Sequence, residues 1–336
     1  MRVYELRGAG LEQLVCVERP MPRPGPGQVL VRVHAASLNY RDLLIARGKY
    51  GRGSLRYPLV PLSDGAGEVI EVGAGVSRVA PGDRVAGTFF QDWTDGPFED
   101  SAAASALGGS IDGVLAEQVV LSAEGVVKFP SELSFEEAAT LPCAALTAWV
   151  SLVELGKLEP DERVLVMGTG GVSIFALQFA KSLGAQVIVT SRSDEKLARA
   201  KSLGADGLVN THKMPDWDAG VRELTIGRGV DQLIEVGGAE TLPRSLRCLR
   251  DGGHLALVGL LSGAPARRED AEKHQRGIHV NSIYVGSRKH FEAMNEAIAR
   301  FKLRPVIDRA FSFDEPREAY DYLASGRHFG KVVIRI

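Results

Sequence analysis

The sequence is short of cysteine, of long apolar runs and of any excess charge. Its cysteines are Cys16, Cys143 and Cys248, odd in number and far apart, which argues against a disulfide framework or a structural zinc knot. Forty basic residues face forty-two acidic ones, for a net charge of -2. A dedicated nucleic-acid binder would show a clear Lys/Arg excess. Apolar stretches break within about ten residues, whereas a membrane span needs about 20. The opening M-R-V-Y-E-L-R-G has no apolar signal core, so no membrane partner and a cytoplasmic location are expected. None of the seven histidines forms an H-x-x-x-H or H-E-x-x-H pair, and no G-x-S-x-G occurs, so a serine hydrolase lacks its nucleophile elbow. G-R-H-F-G-K at Gly326 is one residue short of a P-loop and lacks the Ser/Thr after lysine. The run Arg267 to His274 reads as a solvated segment rather than a recognition patch. There is no repeat of solenoid length and no low-complexity tract.

What is present is 336 residues, 45% hydrophobic and 24% charged, with 38 glycines. That is two ordinary domains' worth of foldable chain, with many tight turns or close backbone approaches to a ligand. The first third reads as β-structure. Gln28 to His34 follows a proline run and sets Val29, Val31 and Val33 on one face of a strand. Glu68 to Val72 and Arg84 to Ala86 are further short strands, separated by Pro- and Gly-bearing turns. Short strands with dense turns suggest a small barrel or sandwich. Phe89 to Gly113 reads as a long aromatic loop, either a lid or a mobile surface segment.

The texture changes near Ser131. Ser134-Phe135-Glu136-Glu137 fits a capping box, and strands then alternate with helices. Strands are expected at Val164–Met167, Val187–Thr190, Leu208–Asn210, Gln232–Val236, His254–Val258 and His279–Val285, with helices from Val172 and through Leu203. This alternation predicts a parallel sheet covered on both faces, of the size of a complete dinucleotide-binding fold. The last fifty residues return to helix then strand.

The strongest chemical signal is V-L-V-M-G-T-G-G-V-S, Val164 to Ser173. A buried strand runs into Gly168-x-Gly170, then Gly171, Val172 and a helix. Gly168 permits the sharp turn, Gly170 lets the backbone approach a pyrophosphate, and the helix N-terminus offers unpaired N–H groups. Ser173 stands where the fingerprint wants Gly or Ala, and is small enough for close packing. In strand–turn–helix context this reads as dinucleotide binding. The second strand ends Thr190-Ser191-Arg192-Ser193, without the acid that binds both ribose hydroxyls in NAD enzymes. Arg192 and Lys196, with Ser191, either neutralise a 2′-phosphate or decorate a helix start. Cations are disfavoured at a helix N-terminus unless an anion is near, which favours NADP(H) over NAD(H).

Several segments together resemble the medium-chain dehydrogenase/reductase superfamily, and within it the zinc-free quinone-oxidoreductase-like and alcohol-dehydrogenase-like branch. They are S-L-N-Y-R-D-L-L at Ser37, S-D-G-A-G-E-V at Ser63, P-G-D-R-V at Pro81, A-A-T-L-P-C-A-A-L-T-A-W at Ala138, G-T-G-G-V-S at Gly168, G-G-H-L-A-L-V-G at Gly252 and G-K-V-V at Gly330. The resemblance covers essentially the whole chain. It implies an α/β fold in which a Rossmann domain is inserted into a GroES-like β-barrel domain. The expected boundaries are 1–128 for the first part of the catalytic domain, 129–288 for the Rossmann domain and 289–336 for the return. It also implies a cofactor in the cleft between domains and a homodimer formed near Val280 to Val285.

Zinc-dependent relatives place a Cys in the segment corresponding to Asn39 and a His-Glu pair where Ser63-Asp64 stands. None of the three cysteines stands at those places in the sequence, so no zinc is expected. Without a metal the oxidation of an alcohol loses its usual polarising group, and reduction of a quinone or an activated alkene or carbonyl becomes the favoured reading. The alternatives are a metal-independent NADP-linked alcohol dehydrogenase and a non-catalytic NADPH-binding protein. By resemblance Tyr50 is the acid, since a phenol stays protonated at neutral pH; otherwise it merely packs in its turn. Asn39 would orient the acceptor or the nicotinamide ribose, and Asp42 would tether the loop. Further implied cofactor contacts are Thr147, Gly237, Gly238, Gly259, Val285 and Lys331, the last with a surface position as its alternative.

Overall fold

The computed structural model describes residues 1–50, 55–259 and 276–336. The run Arg267 to His274 lies outside them. The chain divides into two compact units, one formed by residues 1–146 and 285–336, the other by residues 147–284.

The first unit opens with a two-stranded ribbon, β1 (Arg2–Leu6) and β2 (Leu14–Glu18). Its main sheet contains β3 (Gln28–Leu38), β4 (Asp64–Val72), β5 (Arg84–Gly87), β6 (Gln118–Ser122) and β7 (Val126–Lys128). Between these strands lie helices α1 (Tyr40–Ala46) and α2 (Asp100–Ala103). After β7 come α3 (Phe135–Ala139) and a π-helical turn at Leu141–Ala145, and α4 (Leu146–Trp149) begins at the last residue of 1–146 and continues into the second unit. α3 carries the capping box, with Ser134 Oγ accepting from the Glu137 N–H at 3.1 Å and Glu137 accepting from the Ser134 N–H at 2.8 Å.

β3 does not simply alternate: Leu30 and Val31 are both buried, and its register with β4 shifts between them. The aromatic segment after Phe89 is neither a structureless lid nor mobile surface. It contains α2, and Phe89, Phe90 and Trp93 are buried in mutual ring contacts at 4.6 and 6.0 Å. Apolar rings gain more from each other than from water.

The second unit holds β8 (Arg163–Met167), α5 (Gly171–Ser182), β9 (Gln186–Ser191), α6 (Asp194–Ser202) and β10 (Gly207–Asn210). It continues with α7 (Trp217–Leu224), β11 (Val230–Glu235), α8 (Leu242–Cys248), β12 (Leu249–Leu257) and β13 (His279–Ser282). The six strands form one parallel sheet in the order β10-β9-β8-β11-β12-β13, the doubly wound order of dinucleotide-binding folds. β8 and β9 are apolar on both faces, as strands covered on both sides must be. β13 ends at Ser282, short of the expected Val285, which instead takes a left-handed backbone at φ 57°.

The chain then re-enters the first unit as α9 (Arg288–Phe301), β14 (Ile307–Ser312), α10 (Pro316–Ala324) and β15 (Lys331–Arg335). β15 sits between β14 and β3 in the order β14-β15-β3-β4-β5-β7, with β6 also on β3. The break at 146/147 falls later than the change of texture suggested, because α3 packs on β3, β4 and β15.

Candidate functional site

In the second unit, the carboxyl ends of β8, β11 and β12 carry three glycine turns. Gly168 has φ 73°, its N–H bonds to the Thr190 carbonyl at 2.9 Å, and a Cβ there would meet only Ser173 Oγ at 3.9 Å. The turn is thus anchored below and open above. Gly170 is the N-cap of α5, whose first N–H groups, beginning with Gly171 and Val172, have no partner within the helix. Sheet order places β8 between β9 and β11, where the connections reverse direction. Ligands bind at that point in open α/β sheets. Ser173 faces inward: its hydroxyl donates to the Met167 carbonyl at 2.7 Å and the residue is buried. Its hydroxyl ties helix to strand.

Gly259 comes so close to the next loop that a Cβ would lie 2.0 Å from the Val236 carbonyl oxygen. Gly237 and Gly238 are held by Glu235, a residue that sequence reasoning passed over. Its fully buried carboxylate accepts from the Gly237 N–H at 2.6 Å, the Gly238 N–H at 3.2 Å and the Thr241 hydroxyl at 2.8 Å, and also from Ser245. An acid following directly on the apolar pair Leu233-Ile234 was the available signal. Thr147 is buried, its carbonyl accepting from the Ser151 hydroxyl at 2.7 Å. These turns fit a dinucleotide.

At the end of β9, Ser191 Oγ accepts from the Ser193 N–H at 3.2 Å, and Ser193 caps α6 at the Lys196 N–H. The nearest acid, Asp194, is engaged by Lys213 and Asn210, both at 2.6 Å. Those partners hold its carboxyl below the usual carboxylate range. Arg192 is exposed and makes no ion pair among the described residues.

The first unit assembles a separate cluster where β3 meets α1. Asn39 is the N-cap of α1, and Asp42 closes the cap by accepting the Asn39 N–H at 2.7 Å. Asp42 is completely buried, 3.6 Å from the Arg41 guanidinium. Burial pushes its carboxyl up to about 6, against the pull of Arg41 and the Asn39 N–H. The carboxylate is occupied as an anchor, in keeping with a tether. Arg41 donates to the Leu107 carbonyl at 2.9 Å and lies over the rings of Phe89 and Tyr50, at 4.5 and 4.8 Å. Tyr50 is half-buried against the barrel core.

Lys331 is not a surface residue. It is 3% exposed, donating to the Leu38 carbonyl at 2.7 Å and to Asn39 Oδ1 at 2.6 Å, with Asp64 at 3.8 Å. Asp64 also accepts from the Ser63 hydroxyl at 2.7 Å and the Cys143 N–H at 3.1 Å. The structure therefore brings Cys143 to this cluster, although the sequence had left it outside. Burial, reinforced by Asp64, pushes its thiol up. Val285 belongs to this unit by its contacts, and its left-handed β-branched backbone is a strained position.

Residues 25–131 match the family description "Alcohol dehydrogenase GroES-like domain" and residues 171–300 match "Zinc-binding dehydrogenase". A "Zinc-type alcohol dehydrogenase-like protein" of Schizosaccharomyces pombe is 44% identical over 98% of this chain and 96% of its own length. The chain belongs to the medium-chain dehydrogenase/reductase superfamily. It is accordingly an oxidoreductase of a family that binds a nicotinamide dinucleotide. An "Acryloyl-coenzyme A reductase" of Metallosphaera sedula is 30% identical over 93% of each chain. The crystal structure of an "NAD-dependent alcohol dehydrogenase" superposes with a TM-score of 0.90 at 35% identity, covering the whole of both chains.

Many members of the medium-chain superfamily carry zinc, so the fit of a metal to this chain turns on its donors. Among the described residues no three His, Cys, Asp or Glu side chains converge as ligands. The cluster at Asn39 offers two carboxylates, Asp42 spent on the helix cap and Asp64 accepting from Ser63 and Cys143 beside Lys331, one thiol kept protonated, and an ammonium. Catalytic zinc needs about three deprotonated ligands, and this set does not fit it. No helix among the described residues is long and apolar enough to cross a membrane.

Proposed function

We propose that this protein is an NADPH-dependent reductase of quinones or of carbonyl-conjugated alkenes, working without a metal. The observation that carries the reading is the Asn39 amide held by Lys331 beside Asp64, a hydrogen-bonding cluster at the positions where the family resemblance puts the ligands of zinc-dependent relatives. Donors of this kind stabilise an oxygen that gains negative charge, as the acceptor's oxygen does on reduction. The nicotinamide, when bound, supplies a hydride with its two electrons. The glycine turns after β8, β11 and β12 hold the dinucleotide's backbone, Arg192 and Lys196 pair its 2′-phosphate, and Tyr50 returns a proton. The relative named for acryloyl-coenzyme A, an alkene conjugated to a carbonyl, supports the substrate class.

The test follows NADPH absorbance with a panel of enones and quinones on metal-free protein. Turnover is expected, and Tyr50→Phe should lower kcat by about 10²-fold, the lower end for a general acid. An unchanged kcat removes Tyr50 from the mechanism. The second reading, NADP-linked alcohol oxidation without metal, takes only its alcohol substrate from the relatives' names, which print a zinc-type and an NAD-dependent enzyme; it predicts turnover with alcohols and none with the panel.

The same reading makes the protein a cytoplasmic homodimer, joined along β13, the end strand of its sheet. Light scattering should return twice the 36.1 kDa chain mass.

A further inference from the structure

The barrel unit contains an amide satisfied at one end only. Lys331 Nζ lies 2.6 Å from Asn39 Oδ1, and its other donors go to the Leu38 carbonyl and toward Asp64. An ammonium donates and never accepts. The Asn39 atom facing it must therefore be oxygen, so chemistry alone fixes which way the amide is turned. The Nδ2 group is forced to the opposite side. There it is buried and has no hydrogen-bond partner among the described residues, on a side chain 9% exposed.

Rotation offers no escape, since it would set N–H donors against the ammonium. The backbone is equally fixed. Leu38 is opposite Val332 in the β3–β15 ladder, and Asp42 grips the Asn39 N–H at 2.7 Å. A buried donor without an acceptor is costly, and such groups, when held by everything around them, mark a place where a ligand's acceptor arrives.

We propose that Asn39 Nδ2 donates to the carbonyl oxygen of the acceptor, and that Lys331 is the positioning residue that locks the amide in its donating orientation. This rests on the reductive reading above and narrows it to acceptors with an oxygen conjugated to the carbon that receives hydride: enals, enones and quinones. The hydride forms the new C–H bond at the far carbon. The alkene electron pair moves into the bond beside the carbonyl, the carbonyl pair becomes a lone pair on oxygen, and a proton taken up afterwards completes the product. The Nδ2–H bond strengthens as that oxygen gains charge. Lys331 sits on the far side of the amide and polarises it in the same sense.

The test uses the full chain with NADP+ and 4-(dimethylamino)cinnamaldehyde, whose long-wavelength absorption moves to the red when its oxygen accepts a hydrogen bond. The wild type should show the red shift. Asn39→Asp keeps the contact with Lys331 but presents no donor, so it should lose the shift, and kcat with NADPH should fall by about 10²-fold while the KM for NADPH holds. Lys331→Met should lose most of the shift and Lys331→Arg should restore it. Asn39→Ala combined with Lys331→Met should be no slower than Asn39→Ala alone, as expected of residues acting through one group. A shift that survives in Asn39→Asp, losses that multiply in the double variant, or a wild type without a shift would each overturn the assignment. A wild type that shifts the probe yet reduces no member of the enone and quinone panel leaves the amide assignment standing and removes the reductase reading.

Discussion

Asp42 shows how a residue can be conspicuous in a motif yet spend its chemistry on structure. Its carboxyl is raised to about 6 from 3.8, with burial the main cause. A carboxyl whose folded pKa exceeds its unfolded value stabilises the fold fully below the unfolded pKa, and that contribution is lost as pH rises through the folded one. The wild type should therefore lose up to about 3 kcal/mol between about pH 4 and 7 from this group alone. Asp42→Asn keeps an acceptor for the Asn39 N–H and should flatten that part of the curve, as read from urea midpoints against pH. An unaltered slope would remove Asp42 as its source. Arg192 is the opposite case, exposed and without an ion pair among the described residues. Arg192→Glu should raise the KM for NADPH by about tenfold to a hundredfold, the worth of a charged hydrogen bond of about 1.5–3 kcal/mol. NADH should be far less affected, and equal effects would remove the phosphate argument. The Asn39–Lys331 pair was half legible. Both residues stood in recognisable segments, but they are far apart in sequence and only the β3–β15 ladder brings them within 2.6 Å.

Among elements, what the sequence showed best was the parallel sheet. β8, β9 and β11 are short apolar runs ending in glycine or small polar residues, and local pattern suffices when both faces are buried. What it showed least was how strand ends are fastened. Nothing local reveals that Glu235 would turn inward to grip Gly237, Gly238 and Thr241, or that Cys143 would lie beside Asp64. The aromatic segment was misjudged for a similar reason. Phe90 and Trp93 find partners through packing that spans the segment, among them Phe98 at 5.0 and 5.1 Å, and loop length alone cannot foresee that. The glycine after β12 yields a prediction at this scale. A methyl group at Gly259 would meet the Val236 carbonyl oxygen, a backbone atom unable to swing aside. Gly259→Ala should cost about 1–3 kcal/mol through overpacking and weaken NADPH binding with it. Gly75→Ala meets nothing within 4 Å, although its φ of 81° is unfavourable to alanine, so it should reduce stability while leaving NADPH binding unchanged. Denaturant midpoints and a fluorescence titration of NADPH separate the two effects.

For the whole molecule, the consequential fact is that one unit is continuous in sequence and the other is made from both chain ends. The interruption was implied by the family resemblance, with which the return to helix then strand at the terminus agreed, but the point at which the chain leaves the barrel was not legible, because α3 is helical yet packs on barrel strands. The discontinuous unit depends on β15, which lies between β14 and β3 and buries Val332, Val333 and Ile334 completely. Each such side chain contributes about 1.5–3 kcal/mol, so the strand supplies an amount comparable to the net stability of a domain, about 5–15 kcal/mol. It also carries Lys331. Removing Lys331–Ile336 should therefore unfold residues 1–146 and 285–336. The tryptophans separate the outcomes, since Trp93 belongs to that unit while Trp149 and Trp217 belong to the continuous one. Acrylamide should quench Trp93 in the shortened chain, measured in a variant retaining only that tryptophan, while amide protons of β8, β9 and β11 keep their exchange protection. A Trp93 that stays shielded would show that the barrel closes without its last strand, and the β3–β15 ladder would then no longer account for Lys331 and Asn39 being held in register.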